Sequence, residues 1–166
     1  MNNITLGQLY LNELEAEARA SRKCLERIPA NLFSYKPHEK SLDMGYFGLL
    51  VAEVPLWIKA MASGEGIDFA TWKHSDYKSA EDLVKQFDDN MAAAKKALEK
   101  ISDEDMAKTF ELKAGGKVIM SMPIKDFIGS SINHQIHHRG QLTVYLRLNN
   151  IPVPSIYGPS ADEKDF

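Results

Sequence analysis

The stretch Ile132-Asn133-His134-Gln135-Ile136-His137-His138-Arg139-Gly140-Gln141-Leu142 carries the densest chemistry in the chain. Around it, Ile124, Phe127, Ile128, Leu142, Tyr145 and Leu146 recur at spacings of three and four, the period of an amphipathic helix. Pro123 suits the first turn of such a helix, where a missing amide hydrogen loses no bond. Asn149-Asn150 and the proline-rich segment behind them end it near Leu148. Four residues apart on this helix, His134 and His138 stack on one face. Two imidazoles so placed can pinch a transition-metal ion from one side if another helix supplies further ligands. The same spacing also occurs in ordinary amphipathic helices, where the rings only hydrogen-bond to neighbours.

Working outward from this helix, Leu6, Leu9, Tyr10, Leu14, Ala18, Cys24, Leu25 and Ile28 form one side of a long first helix spanning residues 4–28, which Pro29 stops. A loop with Pro37 follows and leads to Ser41, a candidate cap for a second helix over residues 43–61. Pro55 lies inside that helix. It lacks an amide hydrogen and would leave the Val51 carbonyl without its intrahelical partner, so a bend or break is expected there. Residues 64–78 read as polar and turn-like. Ser79-Ala80-Glu81-Asp82 is a capping signal for a third helix that runs to about Ile101, with a core stripe of Leu83, Phe87, Met91, Ala94 and Leu98. Between residues 109 and 120 the period changes. Phe110 and Leu112 alternate with Glu111 and Lys113, Gly115-Gly116 supplies a turn, and Val118 and Met120 resume the alternation, which predicts a small hairpin. The expected fold class is all-α: a four-helix bundle with a β-hairpin before the last helix. A single domain should cover residues 1–160, with residues 161–166 as a flexible tail.

Twenty basic and twenty-three acidic residues give a formal charge of −3, which lacks the dense positive footprint of a nucleic-acid binder. Cys24 is the sole cysteine and cannot form an intrachain disulfide, so a reducing cytoplasm is the simplest location. The first residues show neither a cationic start nor a continuous apolar run, and no signal peptide is expected. The most apolar segment, residues 44–61, is interrupted by Glu53, Pro55 and Lys59, and no membrane partner is expected.

The run from His134 to Arg147, the segment Val153-Pro154-Ser155-Ile156-Tyr157-Gly158-Pro159-Ser160, Pro37-His38-Glu39-Lys40-Ser41 and Val51-Ala52-Glu53-Val54-Pro55-Leu56-Trp57 together resemble the DinB (DinB/YfiT-like) family in the order that family shows. The resemblance covers nearly the whole chain. It implies a four-helix bundle, commonly a homodimer, with a metal site of three histidines: one from the second helix and two from the fourth. The latter two fall on His134 and His138. The position of the first falls on Leu50, which cannot ligate a metal, so the resemblance implies a degenerate site. Zinc or nickel would be weakly bound there. Glu53, one turn beyond Leu50, is the candidate substitute ligand.

Two function classes follow. One is a non-catalytic or weakly metal-binding, stress-related bundle that accepts a small-molecule ligand. The other is a metal-dependent thiol transferase or hydrolase-like enzyme using His134 and His138 with a substitute third ligand. Zinc-protease chemistry is excluded, because Gln135 stands where that motif needs a glutamate base. His137 projects about 100° away from His138 and should face another neighbour. His38 reads as a structural loop residue and His74 as a solvated one. Gly140 would permit close helix approach, and Arg139 and Gln141 would bond to loops or the tail. In the functional alternative Arg139, Gly140 and Gln141 line a pocket.

Overall fold

The computed structural model describes residues 4–164. Four long helices form the body: α1 (Leu6–Glu26), α2 (Met44–Ala62), α3 (Ala80–Leu98) and α5 (Ile124–Leu148), with a one-turn α4 (Asp103–Met106) between α3 and the sheet. α2 packs against α3 and α5, and α1 packs against the same two helices, so α1 and α2 occupy one diagonal of the bundle. The strands are β1 (Ile67–Asp68), β2 (Thr109–Ala114) and β3 (Lys117–Pro123), in spatial order β1-β2-β3. The expected hairpin is β2–β3. Gly115 and Gly116 turn it with φ of 62° and 76°, angles that residues without a Cβ adopt without strain.

Local chemistry explains where the elements start. The Ser79 hydroxyl accepts from the Asp82 amide while the Asp82 side chain returns to the Ser79 amide, closing the expected capping box. Asp43, rather than Ser41, caps α2 by accepting from the Tyr46 amide at 2.7 Å. On α1 the buried stripe runs through Leu11, Leu14, Cys24 and Leu25, while Leu9 faces solvent, which corrects the expectation for that residue. Gly7 is required by packing. A Cβ there would stand 2.2 Å from the Leu98 carbonyl oxygen, so α1 and the end of α3 meet backbone to backbone.

Residues 64–78 hold more order than their polarity suggests. Ile67 and Asp68 pair in parallel with Leu112 and Lys113. The Asp68 carboxylate accepts from the amides of Gly116, Gly115 and Ala70 at 2.7, 2.8 and 2.9 Å, and these bonds hold its pKa below the usual aspartate range. The loop is thereby tied to the tip of the hairpin.

α2 is unbroken at Pro55, contrary to the expected break. The freed Val51 carbonyl accepts a hydrogen bond at 2.9 Å from the side-chain amide of Gln135, a fully buried residue of α5. The next carbonyl, of Ala52, accepts from the Asn90 side chain of α3 at 2.9 Å. Both neighbours of α2 therefore reach the backbone around the proline. α2 is long and apolar enough to cross a membrane, but it forms the centre of the bundle and most of it is buried.

The C-terminal segment lies on α1 and α5. Asn150, at φ 56°, takes the left-handed position that ends α5, a conformation asparagine tolerates. The expected boundary at residue 160 falls inside an anchored segment: Glu163 pairs with Lys23 and Arg27, and Asp162 pairs with Arg147. These pairs hold the tail through residue 164, and residues 165–166 lie outside the described part of the chain.

Two measurements check these contacts. Gln135→Ala should destabilise the fold by about 1–3 kcal/mol in urea unfolding, because a buried carbonyl loses its partner. In a Pro55→Ala background the same change should cost clearly less, since residue 55 then supplies an amide to Val51. Equal costs in both backgrounds would show that the bond does not serve the proline. The second check is pH. The hydrogen bonds from Lys23, Arg27 and the Ser155 amide lower the Glu163 carboxyl from 4.5 to about 2. A depressed carboxyl pKa stabilises the fold fully above its unfolded value and loses that contribution as pH falls through the folded value. Wild type should therefore melt above Glu163→Gln at neutral pH, and the gap should close as pH falls from 4.5 toward 2. A pH-independent gap would assign the effect to packing.

Candidate functional site

α5 turns Gln135, Arg139, Leu142 and Leu146 into the bundle, which places His134 and His138 at the edge of the α2–α5 seam. The two rings lie edge to face with centroids 4.3 Å apart. His138 is half-buried and packs on Phe47 at 5.3 Å, and the more exposed His134 packs on Trp57 at 5.7 Å. Both rings titrate below the ordinary histidine range. For His134 the cause is burial first, then the neighbouring His138 and His137. For His138 it is burial, with His137 adding to the effect and the bond to Gln141 opposing it. His138 Nδ1 donates to Gln141 Oε1 at 2.7 Å, which leaves Nε2 as the ring atom with a free lone pair.

Phe47 and Trp57 bracket the histidines on the α2 side. At 100° per residue, Leu50 lies between them both along the helix and around it. It is 7% exposed and packed in the same cluster as Phe47 and Tyr145. Leu50 belongs to the apolar stretch of α2 on that side of the bundle.

Glu53 belongs to a different contact. It is fully buried, and its two oxygens accept from His74 Nδ1 at 2.7 Å and from the Ser75 amide at 2.9 Å. His74, expected to be solvated, therefore has a defined role. Its ring also meets Tyr46 edge-on at 5.8 Å, and with Ser75 it fixes the 69–78 loop to α2. Nothing in the local sequence signalled this pairing, which joins residues 21 apart. Among the described residues, no three His, Cys, Asp or Glu side chains stand close enough together to hold a metal ion. A three-ligand metal centre does not fit the donors present.

The other signature residues divide between roles. Arg139 is 1% exposed and bonds to the Glu17 carbonyl, the Glu17 carboxylate, Ser21 and Tyr157, tying α5 to α1 and to the tail as expected. Gln141 instead bonds to His138 on its own helix. Gly140 is exposed, and a Cβ there would meet nothing within 4 Å, so it does not mediate helix approach within the chain. His137 is exposed with its ring 5.2 Å from that of His138, and His38 accepts from the Lys40 amide in the loop before α2.

Next to His134, a cavity of about 250 Å³ opens between α2, α5 and the sheet. Trp57 and Met61 come from α2, Phe110 and Met120 from the hairpin, and Phe127 and Ser131 from α5. The cavity was not legible in the sequence, because its walls come from segments that only the β1 pairing brings together.

The DinB family's sequence profile matches residues 1–165. The chain belongs to the DinB family. Over 42 residues it is 48% identical to the uncharacterized protein YrdA of Bacillus subtilis (strain 168), a match that spans 25% of either chain. The fold is similar to that of a DinB-like protein from Bacillus cereus ATCC 10987, with a TM-score of 0.70 and 23% identity over 89% of this chain and 95% of that one. It is also similar to the DinB-like protein YjoA of Bacillus subtilis, with a TM-score of 0.68 and 15% identity over 95% of this chain and 99% of that one. A putative DinB-family member from Exiguobacterium sibiricum gives a TM-score of 0.67 at 14% identity, over 90% and 95% of the two chains. These likenesses agree with the helical bundle and small sheet described above. They assign the DinB fold and leave the chemistry of the site to its own residues.

Proposed function

We propose that this DinB-family chain is a non-catalytic bundle that keeps two of three family histidines and accepts a small molecule beside them, with only weak affinity for zinc or nickel. The observation that carries this reading is Leu50, enclosed between Phe47 and Trp57 where a third ligand would have to approach His134 and His138. Two imidazoles leave a tetrahedral ion underfilled, and an isobutyl group supplies no donor in place of a third ligand. Glu53 is a poor substitute. Recruiting it would strip a buried carboxylate of His74 and Ser75, a penalty of several kcal/mol for such a group. A cytoplasmic, stress-related setting accords with the lone buried thiol of Cys24, which burial pushes up to about 11 and so keeps unreactive.

Leu50→His tests the reading. Placing a polar ring in this apolar position should lower the metal-free stability by roughly 1–3 kcal/mol. Zinc or nickel should then raise the melting temperature of the variant strongly by mass action, while wild type shows weak, substoichiometric binding in calorimetry. Tight one-to-one binding by wild type that disappears in His134→Ala would overturn the degenerate-site reading and favour the enzyme class. A variant whose melting temperature and metal content stay at wild-type values would show that position 50 does not face the pair.

We infer in addition that two copies pair through the outer face of α5. Val144 and Leu148 are 56% and 55% exposed, and Gly140 lies one turn away on the same stripe. A glycine inside a helix costs about 1 kcal/mol relative to alanine, and packing within the chain gives no reason for it here. Light scattering should give a dimer that Val144→Glu converts to monomer. A wild-type monomer at every concentration would remove the inference.

A further inference from the structure

The cavity beside His134 says more about its occupant than its size alone. Its volume of about 250 Å³ exceeds the roughly 150 Å³ of an apolar cavity that holds benzene, so a substituted ring fits. Its lining contains no Lys, Arg, Asp or Glu, and His134 is the only ionisable histidine there. A carboxylate or phosphate entering it would give up hydration without a fixed counter-charge, a loss that apolar contact does not offset. The polar groups are not scattered. Ser130, Ser131 and His134 all come from α5, while the opposite walls on the sheet are apolar. Trp57, packed against His134, has an indole N–H that is buried with no hydrogen-bond partner. On the solvent side Phe69 and Met120 remain 49% and 46% exposed, large apolar surfaces that a bound ring would cover.

Resting on the small-molecule reading above, we propose that this cavity binds a neutral, ring-sized amphiphile with a single oxygen function, of the alkylphenol or aryl-alcohol class. Its hydrocarbon lies on the sheet side, against Phe110 and Phe127. Its oxygen lies at the α5 end, where it meets the serine hydroxyls. Uncharged recognition of this kind sets the site apart from one built for an acidic thiol cofactor, whose carboxylates would find no cation in the lining.

The test titrates the full chain with 4-ethylphenol and, separately, with 4-ethylbenzoate, at pH 8 where an unperturbed imidazole is neutral. Amide and indole N–H NMR signals are the readout. The phenol should bind with a dissociation constant of about 0.1–1 mM and shift the signal of Trp57, which lines the cavity, with the benzoate at least about tenfold weaker. Ser130→Phe fills the polar end from an exposed helix position that tolerates size, and should abolish binding while the circular dichroism spectrum stays unchanged. Benzoate binding as tight as that of the phenol would overturn the neutral-ligand proposal and leave the small-molecule reading standing. No response to either probe, or responses that survive Ser130→Phe, would overturn the cavity as a ligand site. The metal reading rests on the separate Leu50→His experiment.

Discussion

One hydrogen bond across the seam between α2 and α5 sets the geometry on which the site depends. Pro55 sits in the middle of the most buried helix and deprives the Val51 carbonyl of its backbone partner. No water reaches that position, so a side chain must supply the donor, and Gln135 does so from the facing helix. The consequence is rotational. With Gln135 aimed at the backbone of α2, the preceding residue of α5 and the residue one turn later, His134 and His138, must lie at the rim of the seam beside Trp57 and Phe47. The amide that excludes protease chemistry in the sequence is thus the structural pin of the bundle.

A second constraint acts on the far side of α5. Arg139 is buried as a charge, a state that is tolerable only with full pairing, and it receives the Glu17 carboxylate, the Glu17 carbonyl and hydroxyls from Ser21 and Tyr157. Tyr157 belongs to the tail, so the same arginine that joins α5 to α1 also draws the C-terminal segment onto the bundle. Asp162 and Glu163 complete the attachment through Arg147, Lys23 and Arg27. Composition makes the chain after residue 160 look like a loose end, and the cations placed opposite Asp162 and Glu163 by folding join residues 160–164 to the body.

The sequence made the helices legible because each carries a strong period and chemical punctuation: Pro29 behind the first, Ser79 with Asp82 before the third, Pro123 at the head of the last. Asp43 in place of Ser41 is a shift of two residues at a boundary, where several side chains compete to cap the same amides. The misses share another cause. β1 is two residues long and has no period to detect, and it exists because Asp68 finds the Gly115 and Gly116 amides. His74 is exposed as expected, and its bond to Glu53 was missed because that residue lies on another element. Gly140 was read as permitting close helix approach, and within the described chain nothing lies within 4 Å of a Cβ built there. Of the candidate site, Leu50 entered only through the family resemblance, whereas the stacking of His134 with His138 was readable from spacing. The engagement of Glu53 and the adjoining cavity were not.

The leucine changes the physics of the site in a direction that favours binding over bond-breaking. A third imidazole would bring a polar, water-attracting group into the seam and focus three lone pairs on one point. Leu50 instead continues the apolar surface from Phe47 to Trp57, and the two remaining imidazoles, held neutral by burial, add little charge. This apolar stretch joins, through Trp57, the wall of the neighbouring cavity. In surroundings of this kind each unpaired polar atom matters more, because nothing but a ligand can complete it. On the proposed reading, specificity comes from the position of a few polar groups at one end of an apolar space, and a leucine in place of a third histidine would weaken a metal site while extending an uncharged face toward a small molecule.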